Sequence, residues 1–179
     1  MKFTIKDLAR QAVFAALYFA FTMVVLPIAH GNIQFRLSEA LMILVLFDKK
    51  ATIGLTIGCF FANLVNVASM PFDLIFGTLG TLLGCLLMIP FKNAFVSLLM
   101  PVITNSFLVP VSLVIAFPSS EVVNGNPYFF YCFTVFIGEF VCLYILGLVL
   151  YYILRKNKDF VSLVGGKMEN KAISSDKEA

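Results

Sequence analysis

Six apolar runs, each bounded by a short polar segment, dominate this chain. Runs so long and so continuous do not fit the core of a water-soluble domain of this length. They fit helices in lipid, where each backbone N–H and C=O must be satisfied within its own segment. The runs cover residues 8–28, 37–47, 51–68, 72–91, 95–117 and 128–154. A full crossing takes roughly 20 residues, so the second run is short. It is expected to lie tilted in a thinned site or to be broken at its outer end. Composition agrees with lipid burial: 60% of residues are apolar, the mean hydropathy is +0.96, and only 13% are charged, against about 25% in soluble domains. The alternating-polarity segments of an outer-membrane barrel do not occur. The predicted fold is all-α: an integral membrane protein whose six transmembrane helices form one domain, residues 1–158. A polar tail, 159–179, is expected to be disordered and cytoplasmic. The first run follows a basic segment, but no small-x-small cleavage site comes after it, so it is expected to be a span and not a signal peptide.

The loops predict orientation. Lys2, Lys6 and Arg10 precede the first run, Lys49 and Lys50 separate the second and third, and Lys92 separates the fourth and fifth. Arg155, Lys156 and Lys158 follow the sixth. Six crossings put all of these on one side, which the positive-inside rule makes cytoplasmic, together with both termini. Five crossings would split them. The opposite loops, 29–36, 69–71 and 118–127, carry no Lys or Arg except Arg36.

Arg36 stands out for that reason, and it has company. Gln34, Arg36 and Glu39 enter the short second run from outside. Asn63 and Asn66 lie in the outer half of the third run, and Asp73 begins the fourth. Asn105 lies near the middle of the fifth, and Glu139 lies about 16 Å below Tyr128 at 1.5 Å per residue. Ionisable groups within membrane segments face a cavity or a partner, so their convergence points to a site loaded from outside. Each has a structural alternative. Arg36 and Glu39, three apart, can neutralise each other; Asp73 can be an N-cap; Asn63 and Asn105 can be interhelical hydrogen-bond donors.

Small residues mark close helix approaches. Gly54, Gly58 and Ala62 in the third run, and Gly77, Gly80 and Gly84 in the fourth, are expected to pack internally. Ala12, Ala16 and Ala20 form a nearly uninterrupted stripe in the first run, suited to face a partner helix. Cys59, Cys85, Cys132 and Cys142 lie inside apolar runs without a C-x-x-C, and there is one histidine, His30. They read as buried small residues, and no metal or cofactor site is predicted. No phosphate-binding G-x-x-x-x-G-K-[ST], G-x-S-x-G or H-E-x-x-H occurs, so neither ATP hydrolysis nor a hydrolase is predicted for this chain. No internal repeat typical of secondary transporters is detectable.

Three motifs carry a family resemblance: Ile33-Gln34-Phe35-Arg36-Leu37-Ser38-Glu39-Ala40-Leu41; Gly58-Cys59-Phe60-Phe61-Ala62-Asn63; and Phe72-Asp73-Leu74-Ile75-Phe76-Gly77-Thr78-Leu79-Gly80-Thr81-Leu82. With the Ala stripe and the chain length, they resemble the QueT family of substrate-binding S components of energy-coupling factor (ECF) transporters, over residues 8–154. That resemblance implies an S-component-like bundle taking up a queuosine precursor, a 7-deazaguanine such as preQ1 or queuine. It also implies a separate transmembrane T component and two cytoplasmic ATPase subunits as partners in the bacterial plasma membrane. For such a ligand, Glu39 suits the paired N–H groups of the guanine edge, and Asn63, Gln34 or Asn105 would donate to O6. Glu139 or Asp73 would pair with an aminomethyl cation. Arg36 would keep Glu39 ionised, and Phe35, Phe72 and Phe76 would cover the ring. The alternatives are an S component for another vitamin-like solute, a stand-alone carrier driven by protons through Glu139 or Asp73, and a non-transporting scaffold. The converging polar groups disfavour the scaffold.

Overall fold

The computed structural model describes residues 3–26, 35–65, 71–116 and 126–164, and all regular structure in them is helical. Helix α1 spans Ile5–Val24 and opens on a reciprocal cap: the Thr4 hydroxyl accepts from the Asp7 amide, and the Asp7 carboxylate accepts from the Thr4 amide. A 3₁₀-helix, η1, spans Leu37–Leu46. Then come α2 (Ala51–Val65), α3 (Phe72–Met88) and α4 (Ala94–Ala116). Helix α5 (Pro127–Phe140) continues through a π-helical segment, Val141–Gly147, into α6 (Leu148–Lys156). A short α7 (Lys158–Val164) follows.

Polarity is distributed inside-out. Gln11, Arg36, Glu39, Asn63, Asp73, Thr81, Asn105, Ser112 and Glu139 are buried, while Ile53, Ile57, Phe61, Leu79, Leu83, Phe129 and Phe133 are exposed. A soluble domain does not expose contiguous apolar faces around a polar interior. Among the described residues three helical stretches are long and apolar enough to cross a membrane: Ile5–Val24, Ala94–Ile115 and Pro127–Lys156. The other three apolar helices contain 10, 15 and 17 residues. Among the described residues, helix length alone thus supports three full-length crossings. The third run was expected to reach residue 68, and its outer end lies outside the described residues.

The short second run is neither an α-helix nor broken at its described end. It is a 3₁₀-helix with Ser38 through Val45 all buried. At about 2.0 Å per residue, against 1.5 Å for an α-helix, ten residues reach about 20 Å. The tighter winding lets a short segment cover more depth. It also puts η1 at the centre: it touches α1, α2, α3, α4, the π segment and α6.

The small residues of α2 and α3 do the packing expected of them. A Cβ on Gly54 would lie 2.5 Å from the Gln11 carbonyl oxygen, and one on Gly58 would lie 2.6 Å from that of Ala15. Only glycine lets α1 and α2 approach this closely. Pro101 and Pro110 sit inside α4, where each removes one backbone donor, and Gly84 lies against Pro101.

The segment after residue 158 corrects one expectation. Its first part is helical, not disordered. Asn157 Oδ1 accepts from the Asp159 and Phe160 amides, both at 3.1 Å, and caps α7. Phe160 packs edge-on against Phe47, and the Leu163 carbonyl accepts from Arg10 at 3.1 Å. Arg10 also pairs with Asp7 and, at 3.5 Å, with Asp48; Lys50 reaches Asp7. This network ties the start of α1, the η1–α2 turn and α7 together.

Candidate functional site

The buried face of α1 runs Asp7, Gln11, Phe14, Tyr18 and Thr22, the i, i+4, i+7 spacing of one helix side. Ala12, Ala16 and Ala20 lie on the other side and are exposed. Tyr18 and Thr22 face η1: the Tyr18 hydroxyl donates to Glu39 Oε1, and Thr22 Oγ1 donates to Ser38 Oγ at 2.7 Å. Glu39 is fully buried. Its Oε1 also accepts from Thr81 Oγ1 at 3.3 Å, while Oε2 has no hydrogen-bond partner. A buried polar oxygen without a partner costs about 1–3 kcal/mol, more when charged. Such groups in a native fold call for a functional explanation.

Helix α3 supplies one wall. Asp73, Gly77, Gly80, Thr81 and Gly84 are all buried along one of its sides. Asp73 Oδ1 accepts from Ser112 Oγ of α4, and Asp73 Oδ2 lies 3.9 Å from Arg36 Nη2. Gly77 makes room for two side chains at once. A Cβ there would sit 2.9 Å from Asn63 Nδ2 and 3.3 Å from Arg36 Nη1. Asn63 Nδ2 in turn reaches Cys59 Sγ and Thr78 Oγ1, each at 3.4 Å, and Thr81 Oγ1 lies 3.2 Å from Cys59 Sγ. Gly80 lies against the Asn105 side-chain oxygen. Asn105 Nδ2 donates to Glu139 Oε1 at 3.0 Å, and Glu139 Oε2 has no partner. The charged neighbours of Glu139 are Glu39 and Arg36.

Six of the seven residues that the sequence offers for a ligand, namely Arg36, Glu39, Asn63, Asp73, Asn105 and Glu139, are thus buried and lie along this one network. Gln34 falls outside the described residues. Phe35, Phe72 and Phe76 are half-buried. One pairing differs from the simplest expectation. Arg36 has extended backbone, φ −98° and ψ 96°, just ahead of η1. It reaches across to Asp73, and Glu39 takes its hydrogen bonds from Tyr18 and Thr81. Tyr18, Thr81, Ser112 and Cys59 were missed as members of the network. Tyr18 and Thr22 had a legible signal, two hydroxyls four apart opposite an Ala stripe.

A family model described as QueT transporter matches residues 8–156. The chain belongs to the QueT transporter family. It is a membrane protein, and its family is one of transporters, not enzymes. A protein of Lactococcus lactis subsp. cremoris named queuosine precursor transporter QueT is 41% identical over 93 residues, covering 49% of this chain and 54% of that relative. The chain thus spans about half the length of the curated relative it matches. No solved structure matches.

Tyr18 offers a first test of the network. Tyr18→Phe keeps the ring and removes the donor to a buried carboxylate. It is expected to lower thermal stability by about 1.5 kcal/mol, the lower range for hydrogen bonds to charged groups, in a melting curve of the purified protein. An unchanged curve would show that Thr81 alone suffices for Oε1.

Proposed function

We propose that this chain is the membrane-embedded, substrate-binding S component of an ECF-type importer. It crosses the bilayer six times with both termini cytoplasmic, residues 1–158 forming the binding domain. It captures a 7-deazaguanine queuosine precursor from outside. The observation that carries this reading is the buried polar network, above all Glu39 with one oxygen committed to Tyr18 and Thr81 and the other without a partner. An unpartnered carboxylate oxygen in an apolar bundle suits a ligand edge made of N–H donors, as a guanine edge is. Asn63 or Asn105 would serve O6, with Gln34 a further candidate, and Asp73 and Glu139 are the further carboxylates of the site. The name of the Lactococcus relative supports the substrate class.

Energy has to come from elsewhere, because the chain has no nucleotide-binding motif. Ala12, Ala16 and Ala20 are the proposed docking stripe for a T component that carries two ATPase subunits. They are exposed, and an open apolar groove of about 510 Å³ runs beside them, lined by Ala12, Ala15, Ala16, Phe19, Ile57 and Phe61 among others. Small residues on an exposed helix side allow a second helix to come close.

Reconstitution tests the reading. The lone chain in proteoliposomes is expected to bind labelled preQ1 or queuine without accumulating it. Adding the T component and both ATPases with ATP should start uptake. Accumulation by the lone chain under an imposed pH gradient, without ATP, would make it a proton-coupled carrier instead. In the same system Ala16→Trp is expected to keep ligand affinity within about threefold while uptake falls at least about tenfold, since a bulky side chain blocks close helix approach. Loss of binding in a folded Ala16→Trp protein would overturn the docking role.

A further inference from the structure

The Thr81 hydroxyl has more acceptors than hydrogens. It lies 3.3 Å from Glu39 Oε1 and 3.2 Å from Cys59 Sγ. With one hydrogen, it donates to one of the two and accepts from the other. A carboxyl oxygen is a far better acceptor than a thiol sulfur. The hydrogen therefore goes to Glu39, and the contact with Cys59 runs the other way, from the S–H to Thr81 Oγ1. The thiol has one other acceptor, the Gly77 carbonyl, at the longer distance of 3.8 Å. The sulfur also accepts. Asn63 stands one helical turn after Cys59 on the buried side of α2, and its Nδ2 lies 3.4 Å from Sγ. Donation thus runs in one direction, from Asn63 N–H to Cys59 S–H to Thr81 O–H to Glu39 Oε1, and each donor in such a series strengthens the next. It ends on the oxygen that also accepts from Tyr18. The other carboxyl oxygen, Oε2, is fully buried and has no partner.

We propose that Cys59 is a positioning residue of the site: its thiol holds the Thr81 hydroxyl on Glu39 Oε1, which keeps Oε2 as the free acceptor. A threonine inside a helix has a competing partner in the carbonyl four residues earlier, here that of Gly77, one of the atoms near the Cys59 sulfur. With the S–H donating to Oγ1, Thr81 stays turned toward Glu39. Without it, the hydroxyl is free to turn back onto its own helix, and Glu39 keeps only the Tyr18 donor. The inference rests on the reading of Glu39 as the ligand's acceptor and adds what holds that acceptor in place. It also gives a buried thiol a task that a small apolar side chain in the same space does not perform.

Two measurements on the full-length chain in detergent test it. The first uses no ligand. Hydrogen bonding lowers an S–H stretching frequency, and the infrared difference between wild type and Cys59→Ser separates the Cys59 band from those of Cys85, Cys132 and Cys142. Thr81→Val removes the 3.2 Å acceptor and leaves only the Gly77 carbonyl, so the band is expected to move to higher frequency. A band that stays in place would overturn the proposal. The second is calorimetric titration with preQ1. Cys59→Ala is expected to weaken binding about five- to tenfold, the worth of one neutral hydrogen bond. Cys59→Ser restores a donor and an acceptor and should lose less than Cys59→Ala. A packing role predicts the reverse order, because a hydroxyl is the costlier group to bury in apolar surroundings. In a Thr81→Val background Cys59→Ala should cost less than about twofold, since it acts through Thr81; the same loss in both backgrounds would overturn the proposal. Melting curves of the variants separate lost affinity from unfolding. Absence of preQ1 binding by the wild-type chain would remove the ligand reading of Glu39, whereas the infrared shift reports the hold of the thiol on Thr81 by itself.

Discussion

Glu39→Gln is expected to weaken binding of a 7-deazaguanine by about 2–4 kcal/mol, the cost of unmaking a buried, charge-assisted hydrogen-bond pair. The substitution keeps size and shape and replaces one oxygen by an NH₂. If the amide keeps its oxygen toward Tyr18 and Thr81, the NH₂ faces the ligand's own N–H groups, and one attraction becomes a repulsion. If the amide turns over, its NH₂ faces the two hydroxyls that now donate to Oε1. Both can rotate to accept, so the ligand recovers a neutral acceptor in place of a charged one. Either arrangement loses affinity, the first more than the second. Calorimetric titration against preQ1 and queuine measures the loss, and a melting curve of the same variant separates it from unfolding. Near-wild-type affinity for both compounds would take Glu39 out of the ligand site.

The residues that proved legible in the sequence are those whose chemistry conflicts with their surroundings. Arg36, Glu39, Asp73 and Glu139 stand out because charge is rare in apolar runs, and the structure brings all four into one network. Ala12, Ala16 and Ala20 stand out because a four-residue repeat of small side chains is a pattern, and they do lie on an exposed side of α1. Thr81 and Ser112 did not stand out, because a small hydroxyl residue barely alters the composition of an apolar run. The 3₁₀ winding of η1 was not legible for a related reason. Leu37–Leu46 is buried nearly all round, so it shows no periodicity from which 3.0 and 3.6 residues per turn can be told apart. The Arg36–Glu39 spacing suggested a local pair; Arg36 stands ahead of the helix in extended backbone and approaches Asp73 at 3.9 Å while remaining a charged neighbour of Glu39. The length of α3 was overread, the helix ending at Met88 and not at residue 91, because an apolar run in sequence includes residues that flank the helix as well as those within it.

Arg36→Met is expected to destabilise the fold by about 3–5 kcal/mol, the usual cost of removing one partner of a buried ion pair. Arg36 is 3% exposed and Asp73 fully buried, so water cannot take over the lost charge, and the Ser112 hydroxyl supplies only a neutral donor. Asp73→Asn alone is expected to destabilise as well, since it removes the carboxylate that lies 3.9 Å from the buried guanidinium. Because each single change strands the opposite charge, the double variant Arg36→Met/Asp73→Asn should be more stable than the sum of the two predicts, by at least about 1 kcal/mol in a double-mutant cycle. Thermal unfolding of all four proteins gives that coupling, and strict additivity would show that the 3.9 Å approach carries no energy. Ligand titration of the double variant then separates two roles. Arg36 is a positive neighbour of Glu39 as well as of Asp73, so its removal also changes the charge around the acceptor proposed for the guanine edge. Part of the lost stability is therefore expected to return in the double variant while affinity stays at least about tenfold below wild type, the factor that 1.4 kcal/mol of lost charge–charge support represents. Full recovery of affinity would make Arg36 and Asp73 a structural pair and leave Glu39 and Glu139 as the charged groups of the site.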